Sequence, residues 1–328
     1  MSSHGVPREG LTGQAAGDEP RPVRVLYLCG SQRSGTHILS WILAGLEGVG
    51  VAGEVKRLWV RAARGPHGCT CGKSIGDCEV WSHVVSADGA FDGLDAPSIV
   101  RLRDAALPPG RSWRTTRRLL ASDVPLDPST PQGRYGRLLA DFYRAYASAS
   151  GSSVVIDSSK DPGQAALLRR VPGVSMVPVQ VVRDPRAVLD SHRRRRSSRN
   201  RPSVRDATRV AATWTAIQLA CESIRRARGS HGFLIRYEDW VVRPREALAP
   251  LCVALGGKPE DLPVDDRGVA SLPPVHPHGR RRRYMQGTME LTPDERWKRE
   301  LDAADRAVVA SMTLPLLLRY GYPVRVRS

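Results

Sequence analysis

Cys29-Gly30-Ser31-Gln32-Arg33-Ser34-Gly35-Thr36-His37 decides how the rest of this chain is read. The apolar run Val23 to Leu28 leads into it, and a helical pattern from Ile38 to Leu46 leaves it. Strand, glycine-bearing turn and helix together make an anion cradle. The turn aims backbone N–H groups inward, and the helix N-terminus adds unpaired donors and partial positive charge. Gly30 and Gly35 let the backbone close on the anion without a Cβ in the way. The spacing Gly30-x4-Gly35 copies half of the nucleotide-triphosphate loop. The other half, a Lys followed by Ser or Thr to hold magnesium, is replaced by Thr36 and His37. The fixed charge sits instead on Arg33. The turn therefore predicts an oxyanion held by an arginine and by Ser31, Gln32, Ser34, Gly35, Thr36 and His37, with no metal expected.

Composition sets the frame. A chain of 328 residues with 41% hydrophobic content can form one large α/β domain or two small ones. No apolar run approaches the ~20 residues of a membrane span. Met1 to Arg21 is rich in Gly, Pro and charge and has no apolar stretch, so it reads as a disordered leader and not as a signal peptide. A cytoplasmic protein is expected. Six cysteines are too few for a disulfide scaffold at this length. The net charge is +17, and only five of the 50 Lys and Arg residues are lysine. Such a surface fits either a solvated, arginine-rich exterior or a polyanionic ligand. At 5% aromatic content the chain is thin for stacking on single strands, and it carries no zinc-finger or RNA-recognition signature. No nucleic-acid partner is expected. Oligomeric state is left open.

Further strands follow the first. Gly48 to Gly53 is short, apolar and glycine-bounded, and it ends at Glu54, with a helix over Val55 to Ala63. In an open α/β sheet the strand ends are where ligands sit, so Glu54 falls near the anion loop. Its other reading is a helix-start carboxylate favoured by the dipole. Cys69-Thr70-Cys71-Gly72, Cys78 and Trp81, flanked by His67 and His83, form the densest cysteine group. Thiolates and imidazoles are zinc ligands, but C-x-C is tighter than the usual structural spacing and no second C-x2-C follows. The group is read as a packed, reduced loop. Residues 84–150 read as a helical insertion broken at Pro108-Pro109 and Pro125 to Pro131. Its helix over Gly136 to Ser148 carries core-like aromatics, Phe142, Tyr143 and Tyr146.

Val154 to Asp157 is a third strand and leads to Lys160 at a strand-to-helix junction. Val177 to Val182 is a fourth. After it, Arg183-Asp184-Pro185-Arg186 opens a helix to His192, and Arg183 and Ser191 can reach one phosphate from the sheet edge. Arg193 to Arg205 reads as a solvated basic loop, or as a lid over an anionic ligand. Gly232 to Arg236 is a fifth strand, followed by Tyr237-Glu238-Asp239-Trp240. Val275-His276-Pro277-His278-Gly279 precedes Arg280, Arg281, Arg282 and Arg283, a second anion site. Alternating strands and helices predict a three-layer, P-loop-like α/β fold: one parallel sheet covered on both faces, forming a single domain over residues 22–328.

These motifs resemble the sulfotransferases that use 3'-phosphoadenosine 5'-phosphosulfate (PAPS), closest to bacterial members and to the tyrosylprotein and carbohydrate branch. The resemblance covers the chain from Val23 nearly to its end. Gly30-Ser31-Gln32-Arg33-Ser34-Gly35-Thr36 looks like that family's 5'-phosphosulfate loop, and Arg183 to Ser191 like its 3'-phosphate motif. Arg236-Tyr237-Glu238-Asp239 resembles the segment whose tyrosine lies near the adenosine. Ser159-Lys160-Asp161-Pro162 resembles the Lys-Asp-Pro of the tyrosylprotein branch, and Gly53-Glu54 stands where that branch carries its catalytic glutamate. The cysteine loop resembles a recurring bacterial element. The late loop departs from the family pattern, so the resemblance does not choose among Arg280 to Arg283. It implies a PAPS-dependent sulfotransferase acting on a hydroxyl of a small-molecule, carbohydrate or lipid acceptor, with secondary metabolism as its setting. Arg33 and Lys160 would stabilise the leaving group, and Glu54 would be the base, with His276 as the alternative base. A magnesium-dependent kinase and a basic nucleic-acid binder are the competing classes.

Overall fold

The computed structural model describes residues 21–63, 68–87, 94–110, 112–196, 204–279 and 287–324. Residues 1–20 of the expected leader, His67, residues 197–203 of the basic run and Arg280 to Arg283 lie outside these.

In chain order the elements are β1 (Val23–Gly30), α1 (Thr36–Leu43), β2 (Val49–Gly53), α2 (Val55–Ala62), β3 (Gly68–Cys69), α3 (Glu79–Ser86), α4 (Ala96–Ala106), α5 (Ser112–Leu120) and α6 (Pro131–Ser150). Then come β4 (Val154–Asp157), α7 (Pro162–Leu168), β5 (Val174–Val182), α8 (Pro185–Arg196), α9 (Val204–Arg225), β6 (Phe233–Arg236), α10 (Tyr237–Val242) and α11 (Pro244–Leu255). The chain closes with β7 (Val269–Leu272), β8 (His278–Gly279), β9 (Gly287–Glu290), α12 (Trp297–Glu300) and α13 (Ala303–Arg319).

Five strands form one parallel sheet in the order β2-β4-β1-β5-β6. β1 lies at its centre, and Leu26 stands opposite Ile156 on one side and Val177 on the other. Both faces are covered, which is why these strands read as unbroken apolar runs. On β1, Val25, Tyr27 and Cys29 face one core with Phe142, Tyr143 and Tyr146 of α6, and Leu26 and Leu28 face the other with Leu39 and Ile42 of α1. Each such fully buried large side chain contributes about 1.5–3 kcal/mol. The fold is thus the three-layer α/β arrangement expected, with helices on each face of a parallel sheet.

Between β3 and β4 the described residues form four helices, α3 to α6. α6 runs further than its apolar pattern: Thr130 caps it by accepting the Gly133 N–H at 3.1 Å, Pro131 opens it, and Gly151 closes it at φ 63°. Two elements correct the sequence reading. α8 continues through Arg193 to Arg196, so the first part of the basic run is helix and not loop. Carboxylates make this possible, because Arg193 pairs with the buried Asp305 at 2.5 Å and Arg194 with Asp190 at 3.1 Å. Two short antiparallel pairs outside the main sheet, β3 with β8 and β7 with β9, are also absent from the sequence reading. Among the described residues, no helix is long and apolar enough to cross a membrane.

Candidate functional site

Each strand of the sheet ends at the same edge and delivers a polar side chain within three residues: Arg33 after β1, Glu54 after β2, Lys160 after β4, Arg183 after β5 and Tyr237 after β6. All five line one cleft of about 690 Å³, together with Gln32, Thr36, His37, Arg57, Ser191, Arg194, Asp294 and Arg296.

The first turn is built for close approach. A Cβ on Gly30 would lie 2.3 Å from the Val181 carbonyl oxygen. Gly35 has φ +78°, and a Cβ there would lie 2.7 Å from the Tyr237 ring. Arg33 also holds a left-handed backbone, φ 71°, which costs a non-glycine residue energy and persists only where neighbours fix it. Here its carbonyl accepts from Arg183 Nη1 at 2.9 Å, and its Nε donates to Ser191 Oγ at 2.8 Å. The two arginine motifs, 150 residues apart, therefore touch. The hydroxyls of Ser34 and Thr36 are buried and have no hydrogen-bond partner. A buried polar group without a protein partner is costly unless water or a ligand satisfies it. Ser31, by contrast, donates to the neighbouring Gln32 carbonyl at 3.2 Å.

Lys160 is the second strained residue, at φ 63°. The loop beneath it is tied on several sides. Asp157 accepts from the Ser159 N–H at 2.7 Å and the Tyr143 hydroxyl at 2.6 Å, and Tyr27 Oη donates to the Asp161 carbonyl at 3.0 Å. Burial pushes Asp157 up to about 6. Lys160 itself is buried, and desolvation lowers its pKa even though Glu54 opposes the shift. Its Nζ donates to Glu54 Oε1 at 2.7 Å and to the Ser158 carbonyl at 2.8 Å. Glu54 also meets Arg57 Nε at 3.1 Å and His37 Nε2 at 3.6 Å. Burial alone would raise the Glu54 carboxyl, but Lys160, His37 and Arg57 together bring it down to about 2.

At the other end, Arg183 lies 4.2 Å over the Tyr237 ring and donates to Asp294 Oδ2 at 3.1 Å, while its Nε has no partner. Asp294 also accepts from Arg194 at 2.7 Å and Arg296 at 2.9 Å. Against the upward push of burial, those three arginines hold its carboxyl well below the usual carboxylate range. Arg186 is turned away from the cleft. It forks onto Asp184 at 2.9 and 2.7 Å and stacks on Trp297, shaping the turn that presents Arg183.

Sequence reasoning placed Arg33, Ser34, Thr36, His37, Glu54, Lys160, Arg183, Ser191 and Tyr237 at one edge, and the structure brings them together. His276 is a correction. It stands beside Cys69 and Cys78, with Nδ1 at 3.7 and 3.3 Å from their sulfurs, and does not line the cleft. Its loop pairs with β3, which carries it to the cysteine loop instead. Arg57, Arg194, Asp294 and Arg296 were missed. Arg57 and Arg194 each lie one helical turn after an assigned residue, Glu54 and Ser191, and that spacing was the available signal. Asp294 had none, because only the fold brings it to Arg183.

A second cavity of about 950 Å³ adjoins the cleft, and Gln32, Glu54, Arg57 and Lys160 line both. The remainder of its wall is mixed: Val60, Trp113, Ala216 and Ile217 beside Arg61 and Arg103.

No protein-family model matches this sequence, and no curated protein does. Solved structures do match. A sulfotransferase domain from the Synechococcus PCC 7002 olefin synthase aligns with TM-score 0.50 and 19% identity, over 94% of this chain and 98% of that one. This chain shares the fold of that sulfotransferase domain. A sulfotransferase domain from the curacin biosynthetic pathway aligns equally, with TM-score 0.50 and 17% identity, over 93% of this chain and all of that one. At such identities the likeness concerns the fold. The chemistry has to come from the cleft, where Arg33, Arg57, Lys160, Arg183 and Thr36 line the wall and one carboxylate, Glu54, faces both cavities.

Proposed function

We propose that this chain is a PAPS-dependent sulfotransferase, and that it transfers a sulfuryl group to a hydroxyl of a small-molecule, carbohydrate or lipid acceptor. One observation carries the reading. The 30–36 turn and the Arg183–Ser191 helix, each suited to one phosphate, meet through the Arg33–Ser191 and Arg183–Arg33 hydrogen bonds in a cleft that Tyr237 floors. A nucleotide phosphorylated at both ends suits such a paired site. The shared fold with sulfotransferase domains, two of them from biosynthetic systems by their names, supports the same reading and the setting in secondary metabolism.

The residues present fit the donor. The unpaired Ser34 and Thr36 hydroxyls and the turn's N–H groups would hold the 5'-phosphate, and Arg183 with Ser191 the 3'-phosphate, joined by one or more of Arg280 to Arg283. Tyr237 would flank the adenosine, and Gln32 and His37 would border the sulfuryl group. PAPS, when bound, supplies a sulfuryl group on a good leaving group. Transfer breaks the bond from sulfur to the bridging oxygen, forms the bond from sulfur to the acceptor oxygen, and frees the acceptor's proton. Arg33 and Lys160 are placed to stabilise charge on the bridging oxygen. Glu54, at the junction of the two cavities, takes the proton on its carboxylate. The second cavity is the acceptor's entrance, and its mixed wall suits an amphipathic alcohol.

A kinase would need a lysine where Thr36 stands and a magnesium-binding hydroxyl where His37 stands, and this turn has neither. A thermal-shift comparison separates the classes. Adenosine 3',5'-bisphosphate should raise the melting temperature well above the effect of ATP with magnesium or of duplex DNA. A larger shift with ATP and magnesium, or none with the bisphosphate, overturns the proposal.

A further inference from the structure

We infer that Cys69, Cys71, Cys78 and His276 form a structural zinc site that clips the 68–78 loop to the 275–279 segment. The four donor atoms, three sulfurs and one imidazole nitrogen, all lie within 4.8 Å of one another. Tetrahedral zinc with Zn–S of about 2.3 Å and Zn–N of about 2.0–2.1 Å requires sulfur-to-nitrogen edges of about 3.6 Å. The His276 Nδ1 lies 3.7 Å from Cys69 Sγ and 3.3 Å from Cys78 Sγ, on either side of that length. Three thiolates and one imidazole leave no open position, which is the mark of a structural and not a catalytic zinc.

The surroundings point the same way. His276 turns Nδ1 toward the sulfurs and Nε2 toward Glu79 Oε1, 3.6 Å away, the orientation by which an outer carboxylate aligns a ligating histidine. The Cys71 N–H faces Cys69 Sγ at 3.5 Å, an amide contact that would suit a zinc-bound thiolate. Backbone ties set the two segments in place. Thr70 donates to the Val275 carbonyl at 2.8 Å through its hydroxyl and to the Pro277 carbonyl at 3.3 Å through its N–H, and Trp81 Nε1 donates to the His276 carbonyl at 2.6 Å. Yet β3 and β8 pair over only two residues each. These few ties join segments about 200 residues apart in sequence. A metal would add a further tie.

Disulfide chemistry explains the cluster less well. Three cysteines leave one unpaired, and a disulfide gives the imidazole in their midst no role. The sequence hid the site because three ligands lie in one loop and the fourth lies 198 residues beyond Cys78. The segment that His276 anchors leads in sequence directly into Arg280 to Arg283, so the clip would tether the start of that arginine run.

The test needs no knowledge of the acceptor or the donor. The full chain is expressed in zinc-supplemented medium, purified without chelators or a metal-affinity step, and analysed for metal by mass spectrometry and for free thiols. One zinc per chain is expected. Replacement by cobalt should give the absorption of a tetrahedral, thiolate-rich ion. Cys78→Ser and His276→Ala should abolish stoichiometric zinc, while Cys252→Ser, a buried cysteine outside the cluster, should keep it. Wild-type protein that holds no stoichiometric zinc, contains a disulfide among the three cysteines, or binds a different metal overturns the inference. So does full zinc in both ligand variants. Should those variants fail to fold, the wild-type cobalt spectrum decides, and one without thiolate-to-cobalt charge transfer refutes the site. Nucleotide binding is read separately, so loss of this clip and loss of the donor assignment give different results.

Discussion

Arg183→Ala should remove most of the protein's grip on a 3'-phosphate while sparing the rest of the nucleotide. The side chain is almost fully buried, stacked 4.2 Å over Tyr237, with Nη1 on the Arg33 carbonyl and Nη2 on Asp294. Two donors remain for a ligand only if Nε, now unpartnered, and Nη2, now shared with Asp294, turn to the phosphate. A hydrogen bond to a charged group contributes about 1.5–3 kcal/mol, so loss of one or two good ones costs about 2–4 kcal/mol. That is a weakening of roughly 30-fold to 1000-fold, at 1.4 kcal/mol per factor of ten. Alanine would also leave Asp294 nearer the site with one cation fewer to neutralise it, which pushes the loss toward the upper end. Calorimetric titration of adenosine 3',5'-bisphosphate measures it, and adenosine 5'-phosphate supplies the internal control. The bisphosphate should lose affinity steeply and the 5'-monophosphate only slightly. Equal losses for both would mean that the turn at Arg33 collapsed with its Arg183 tie. A loss under about threefold for the bisphosphate would refute the clamp itself.

Other substitutions probe the rest of the edge. Glu54→Gln should cut turnover by roughly 10²- to 10⁴-fold, the usual worth of a general base, with bisphosphate affinity undiminished; near-normal turnover would assign the proton to another group. Gly35→Ala forces a Cβ to 2.7 Å from the Tyr237 ring at φ +78° and should cost about 1–3 kcal/mol of stability along with donor binding. An unshifted melting temperature in that variant would contradict the close packing described. Lys160→Met should change acid stability in a defined direction. Glu54 is lowered from 4.5 to about 2 in the folded state, so its contribution is present above about pH 4.5 and disappears as pH falls toward 2. Without Lys160 that contribution shrinks, and urea unfolding across this range should show a shallower loss of stability with acid. An identical slope in the two proteins would sever Glu54 from Lys160.

Why some of this could be read from sequence, and some not, follows from the distance over which each feature is encoded. The five parallel strands are local apolar runs, and the residue that follows each run must emerge at the sheet edge. Arg33, Glu54, Lys160, Arg183 and Tyr237 could thus be placed together without knowing strand order. The aromatics of α6 were legible as core because they recur on one helical face. The extension of α8 into Arg193 and Arg194 was not, since four arginines in a row suggest solvent until Asp190, Asp294 and Asp305 are known to face them. Asp294 and His276 share this property: each owes its place to a chain crossing far away in sequence. His276 illustrates the cost. A histidine ahead of an arginine run reads as a base near an anion, but the β3–β8 pairing carries it to the cysteines.

The low pKa of Glu54 at first opposes a role as base, because a carboxylate that ionises at about 2 holds a proton poorly. The cause of the shift resolves this. Burial pushes the carboxyl upward, and the depression comes from cations, above all Lys160 at 2.7 Å, with His37 and Arg57 adding to it. Those same cations line the cleft an anionic donor would enter. Each that turns to the donor's charge stops stabilising the Glu54 carboxylate, while burial continues to raise it. One pKa unit corresponds to about 1.4 kcal/mol, so partial transfer of Lys160 alone moves Glu54 upward by a useful amount. Without donor, the Glu54–Lys160 pair keeps the base quenched and satisfies two buried charges that would otherwise be costly. In the proposed reaction, donor binding would draw Lys160 toward the leaving oxygen and so raise the Glu54 carboxyl at the junction of the two cavities. The strained φ 63° at Lys160, held by the Asp157 and Tyr27 ties, keeps its ammonium within reach of both partners. On that proposal, activation of Glu54 would follow from donor binding.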